Sequence, residues 1–96
     1  MTSTIIETAS ATQYVIFSGM ESAVDVQRIV GRLTDESSVT FSYRHTSVVN
    51  ARFLDLLIIA LRAKGITEIA TIFADEPEVS RIKALAVREH ISYTAK

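Results

Sequence analysis

The residues that could perform chemistry are few and form no established catalytic pattern. The chain has two histidines, His45 and His90, and no cysteine, so a structural zinc site is not expected. The sequence also lacks a glycine-rich phosphate loop and a nucleophile elbow. His45 could act as a general base only with a partner and a pocket. We therefore predict that the protein is not an enzyme and that it uses no metal or cofactor.

One polar cluster could bind a small ligand or accept a phosphate. It is formed by Ser42, Tyr43, Arg44, His45, Thr46 and Ser47. The cluster follows a predicted strand, and ligands usually bind α/β sheets at such strand ends. Thr46 and Ser47 are candidate surrogate phosphorylation sites, although hydroxyl residues in turns more often bond to nearby backbone. The cluster keeps a small-ligand sensor open as an alternative function.

Composition limits the classes of partner. The chain has 96 residues, 48% of them hydrophobic, and a net charge of −1, which suits a single domain over residues 1–96. Its charges are scattered, whereas a nucleic-acid binder normally shows a basic stripe. The longest apolar stretch, residues 53–61, contains Asp55 and is much shorter than the roughly 20 residues of a membrane span. With no leader pattern in the first ten residues, we expect a cytoplasmic protein with no nucleic-acid partner and no direct membrane insertion.

Hydrophobic patterning predicts strands that alternate with helices. Strands are expected at residues 4–8, 13–17, 39–43, 66–73 and 91–93. The first helix should start at Ser22, with Asp25 completing a capping box. The second should be capped by Asn50 and stop at Lys64 and Gly65, and the third should open at residues 75–77.

The resulting order, β-β-α-β-α-β-α-β, implies an α/β sandwich with a mostly parallel sheet of four to five strands. The first strand joins the second through a short link and should therefore pair with it antiparallel at one edge.

The second helix has apolar residues on more than one face. One stripe is expected to pack on the sheet: Leu54, Leu57, Ile58 and Leu61. At 100° per residue, Leu56 and Ile59 then point away from the sheet, and Phe53 and Ala60 lie on a flank. An apolar outer face suggests contact with another chain. The alternative is that a neighbouring helix covers these side chains.

Three local segments, in order and spacing, resemble the STAS domain of anti-sigma factor antagonists. They are the strand ending in glycine at residues 14–19, the strand and polar turn at residues 41–50, and Asn50-Ala51-Arg52-Phe53-Leu54 followed by Leu57. The resemblance covers roughly residues 4–94. It implies a STAS-like fold and a protein partner: an anti-sigma kinase-like protein, another STAS protein or a transporter-associated subunit, with a homodimer also open.

The departures from the STAS pattern bear directly on regulation. Ala51 occupies the position of the serine that accepts phosphate in the family, and Arg52 also lacks a hydroxyl. Asn50 replaces an aspartate but can still cap the helix, and Phe53 replaces a glycine.

We therefore expect a non-enzymatic interaction module in bacterial regulatory partner switching, without phosphorylation at the usual site. Its predicted partner-binding residues are Asn50, Ala51, Arg52, Phe53, Leu56 and Ile59. A small-ligand sensor or an accessory subunit of a transporter complex is the alternative.

Overall fold

The fold consists of a five-stranded sheet and three α-helices. The computed structural model describes residues 4–9 and 12–96. The strands are β1 (Ile5–Ala9), β2 (Thr12–Ile16), β3 (Ser38–Ser42), β4 (Glu68–Ile72) and β5 (Ser92–Ala95). The helices are α1 (Val26–Gly31), α2 (Ala51–Lys64) and α3 (Glu76–Arg88). The predicted order of strands and helices is confirmed, with strand limits shifted by one or two residues in most cases.

The sheet has the simple order β1-β2-β3-β4-β5. Strands β2 to β5 run parallel, and β1 pairs antiparallel with β2 at the edge, as the sequence predicts. Each pair of adjacent parallel strands is joined by one helix. Because such crossovers are right-handed, consecutive crossovers of this kind place all three helices on the same face of the sheet.

The hydrophobic core lies between that face and the helices. From the sheet it receives alternate side chains such as Val15, Phe41 and Ile69, and from α2 the stripe that the sequence predicts. Leu54, Leu57, Ile58 and Leu61 are fully buried. Phe17 anchors an aromatic cluster in this layer: its ring centroid lies 5.1 Å from that of Phe41 and 5.3 Å from that of Tyr43. The helix-facing side of the sheet is therefore a continuous apolar layer.

The opposite face of the sheet is not covered by any helix or strand in the part of the chain that the structure describes. The strand register places Ile5, Ile16, Ser42 and Ile72 in one row across β1 to β4. The next row on the same face carries Tyr14, Thr40, Ala70 and Thr94. The fold is thus a two-layer sandwich with one open sheet face.

The helix ends follow the predicted capping chemistry, but the turn that follows Ser22 is 3-10 rather than α-helical. This 3-10 turn is Ala23–Asp25, and the Asp25 carboxylate accepts a hydrogen bond from the Ser22 N–H at 2.8 Å. Helix α2 stops at Gly65, whose φ of 105° is left-handed, a conformation that glycine adopts without a steric penalty. Helix α3 starts after Asp75 and has proline in its first turn.

Candidate functional site

The first turn of α2 is capped and projects two residues into solvent. The Asn50 side-chain oxygen accepts a hydrogen bond from the Phe53 N–H at 2.9 Å, which confirms the predicted cap. Ala51 and Arg52 are exposed. A hydroxyl at residue 51 would lie at the helix N-terminus, where phosphate is favoured, but alanine offers no acceptor. The structure thus has a capped helix start with no hydroxyl at residue 51 that could accept a phosphate.

The prediction that Phe53 contacts a partner is wrong. Its side chain is fully buried, and its ring lies edge-on to Phe17 with centroids 5.8 Å apart. The flank of α2 that carries Phe53 faces the core rather than outward, and its aromatic ring packs beside Phe17 there. Phe53 is thus a core residue that anchors the start of α2.

Leu56 and Ile59 border a shallow groove between α1 and α2. The groove has a volume of about 360 Å³ and is lined by Ala23, Val26, Gln27, Leu56, Ile59, Ala60 and Ala63. Leu56 is half-buried and packs against the core. It lines the groove together with Val26 and Gln27 of α1. This partial burial agrees with the alternative that a neighbouring helix covers the apolar side chains of α2. Ile59 keeps 42% of its surface exposed. The outer face of α2 therefore offers an apolar groove, with Ile59 as its most exposed large apolar side chain.

The turn before α2 gives Thr46 a structural role. Its hydroxyl donates a hydrogen bond to the Val48 carbonyl at 2.8 Å and accepts one from the Val48 N–H at 3.3 Å. This is the backbone bonding expected of a turn residue. Ser47 is exposed beside it. The geometry places both candidate phosphoacceptors upstream of the helix cap and leaves Ser47 as the more accessible hydroxyl.

A buried carboxylate organises the neighbouring loop between β2 and α1. Glu21 is only 5% exposed and accepts hydrogen bonds from the Ser18 N–H at 2.8 Å, the Gly19 N–H at 3.0 Å and the Thr4 hydroxyl. Burial raises the pKa of Glu21, but these hydrogen bonds outweigh it and hold the pKa below its ordinary value of 4.5. The ionised side chain therefore stabilises the loop that lies against Thr46.

Three apolar side chains are exposed in the loops at the carboxyl ends of the parallel strands. Met20 follows β2, Val48 follows β3 and Phe73 follows β4, with exposed fractions of 75%, 57% and 63%. Phe73 also has a φ of 63°, a left-handed conformation that is costly for a bulky residue. The Arg44 guanidinium lies 5.8 Å from its ring centroid. An exposed aromatic residue held in a strained conformation is a feature that hydrophobic patterning does not reveal.

Glu78 is a buried acid whose contacts sequence reasoning misses. An acid in the first turn of a helix is expected in solvent, where it complements the helix dipole, yet Glu78 is 2% exposed. Its carboxylate accepts a hydrogen bond from the Tyr43 hydroxyl at 3.0 Å. Burial and the nearby Glu78 charge raise the pKa of Tyr43, so the phenol stays protonated and serves as a donor. No local sequence signal reveals this pair, because the two residues are 35 positions apart.

The polar cluster at residues 42–47 does not enclose a ligand-sized pocket. The recess beside it, on the open sheet face, has a volume of about 160 Å³ and is lined by Tyr14, Ile16, Ser42, Arg44 and Ile72. Small-molecule sites usually measure about 300–1,000 Å³. Across residues 4–9 and 12–96, no three histidine or acidic side chains are placed to hold a metal ion. The recess beside the cluster is therefore smaller than a typical small-molecule site.

Fold and site together define a two-layer α/β domain with a capped start of α2 and, further along the same helix, an apolar groove against α1. Comparison of the chain with protein-family models, curated proteins and solved structures gave no significant match. Among the residues that the structure describes, no helix is long and apolar enough to cross a membrane.

Proposed function

We propose that this chain is a non-enzymatic protein–protein interaction module of the STAS, anti-sigma factor antagonist type. It acts in bacterial regulatory partner switching without phosphorylation at residue 51. The order of strands and helices and the capped start of α2 support this proposal. The observation that carries it is the apolar groove beside α2, where the large side chain of Ile59 stays exposed about two turns beyond the helix start. Apolar grooves with polar rims are typical of protein-binding surfaces.

The docking surface consists of Asn50, Ala51, Arg52, Leu56 and Ile59. Arg52 belongs to none of the ion pairs among the side chains that the structure describes, and its charge could meet an acidic group of a partner. Apolar side chains of the partner fill the groove, and this acidic group fixes their register. The partner of this chemistry is an anti-sigma kinase-like protein. Another STAS protein, a transporter-associated subunit or a second copy of this chain are alternative occupants.

Two surface substitutions test the docking surface. Ile59→Asp places a charge in the apolar groove, and Arg52→Glu reverses the charge beside it. Each should weaken binding to a purified anti-sigma factor kinase from the source organism at least tenfold by isothermal titration calorimetry, because an unpaired charge in a desolvated interface costs several kcal/mol. Sedimentation velocity on the same variants measures self-association.

Val87→Asp is the matched control, since Val87 is an exposed apolar residue on α3 and lies outside the groove. It should bind as the unmodified chain does. Full kinase binding by both test variants would exclude this surface. If both variants bind the kinase fully but no longer self-associate, the groove binds a second copy of this chain rather than a kinase.

A further inference from the structure

Helix α3 holds the peptide group that immediately precedes the cap of α2. The Glu78 carboxylate accepts a hydrogen bond from the Val49 N–H at 3.2 Å. Arg81, one turn further along α3, donates a hydrogen bond to the Val49 carbonyl at 3.1 Å. Both polar backbone groups of Val49 are thus bound by side chains of one helix.

The two side chains are also paired with each other. Arg81 and Glu78 form an ion pair with an N–O distance of 3.0 Å, in which the carboxylate is buried and the guanidinium is about one-third exposed. The same carboxylate oxygen that binds Val49 accepts the Tyr43 hydroxyl. A buried carboxylate is tolerated only when charge and hydrogen bonds compensate its lost hydration. The contacts of Glu78 with Tyr43 and Arg81 therefore hold its carboxylate in the position where it binds the Val49 N–H.

We propose that Glu78 and Arg81 act as a clamp that orders the segment between β3 and α2 and fixes the direction of the first turn of α2. The clamp makes α3 a positioning element for a surface that it does not itself form. Its consequence for partner docking depends on the proposed function, because the first turn of α2 carries Ala51 and Arg52. A pre-ordered turn binds without the entropic cost of immobilising it.

Amide hydrogen exchange on the free protein tests the clamp. Glu78→Gln removes the charge that holds Arg81, and exchange at the Val49 amide should accelerate at least tenfold, which corresponds to about 1.4 kcal/mol. The ¹⁵N order parameters of residues 47–52 should also fall, whereas that of Leu57, in the middle of α2, should stay near the value of about 0.85 that is typical of a rigid backbone. Glu76→Gln is the matched control, since Glu76 is an exposed acid in the same turn of α3, and it should leave the Val49 amide unchanged.

Arg81→Lys covers the case in which Glu78→Gln does not fold. Lysine retains the charge but cannot present two donors in a planar fork to Glu78 and the Val49 carbonyl, so exchange at Val49 should rise at least threefold. Unchanged exchange at Val49, or unchanged order parameters of residues 47–52 in a variant of lower global stability, would overturn the clamp, because the pair would then contribute nothing or only global stability. Since no partner takes part in this measurement, failure of the clamp and failure of the proposed docking are observed separately.

Discussion

Replacing Gly19 by alanine should destabilise the protein more than any other glycine substitution, for two separable reasons. Gly19 has a φ of 91°, and a β-carbon built on it would lie 2.6 Å from the Thr46 hydroxyl oxygen. The left-handed backbone costs about 1–2 kcal/mol for a residue with a side chain. Overpacking against Thr46 adds about 1–3 kcal/mol. The expected total is a loss of about 2–5 kcal/mol in the free energy of unfolding.

The other two glycines separate these contributions. Gly65 has a φ of 105° but open space where a β-carbon would stand, so Gly65→Ala should cost only the backbone strain of about 1–2 kcal/mol. Gly31 has neither a positive φ nor a close neighbour, and Gly31→Ala should be neutral or stabilise by about 0.4–1 kcal/mol. The loss in the free energy of unfolding should therefore decrease from Gly19→Ala to Gly65→Ala to Gly31→Ala, although the chemical change is the same in each.

Urea denaturation followed by circular dichroism measures the series, with a constant m-value showing that only stability has changed. The double variant Gly19→Ala/Thr46→Ala relieves the closest contact and should lose less stability than the sum of its two single variants. A cost for Gly19→Ala no greater than that for Gly65→Ala would refute the packing of the two loops described for this structure. Additive effects in the double variant would do the same.

Two further predictions concern pH and modification. Because the folded pKa of Glu21 is lowered, its contribution to stability is present above pH 4.5 and is lost as the pH falls through the folded pKa. Glu21→Gln should therefore lower the free energy of unfolding at neutral pH by about 1–3 kcal/mol. It should also reduce the further loss of stability on acidification to about pH 3. Equal acid dependence in both proteins would contradict this. Incubation with an anti-sigma factor kinase and ATP should leave the intact mass unchanged, and a phosphate on Thr46 or Ser47 would show that the module is switched from a surrogate site.

The order of elements could be predicted because its signals are local. Apolar alternation, the Asn50 cap and the stop at Gly65 each depend on residues within one turn or strand. They determined three helices and a mostly parallel sheet with one antiparallel edge. The 3-10 form of the first turn after Ser22 could not be predicted, because a capping box does not distinguish a 3-10 turn from the first turn of an α-helix.

The candidate site could be predicted only in part. Exposure of Arg52 and Ile59 follows from the geometry of a single amphipathic helix, and both lie on its accessible side. The same geometry failed for Phe53, because whether a flank is exposed depends on how closely the next element approaches. Leu56 lies between these cases, half-covered at the edge of the groove.

The sequence by itself determined which segments become strands and helices and which face of α2 meets the sheet, because hydrophobic spacing and capping act over a few residues. Only the tertiary structure decided that Glu78 turns inward to Tyr43 and Val49, that Phe53 joins the core, and that Phe73 is held exposed with a positive φ. These outcomes depend on the desolvation and packing of residues distant in the chain. They are settled only when the helices dock on the sheet and each side chain meets its actual neighbours.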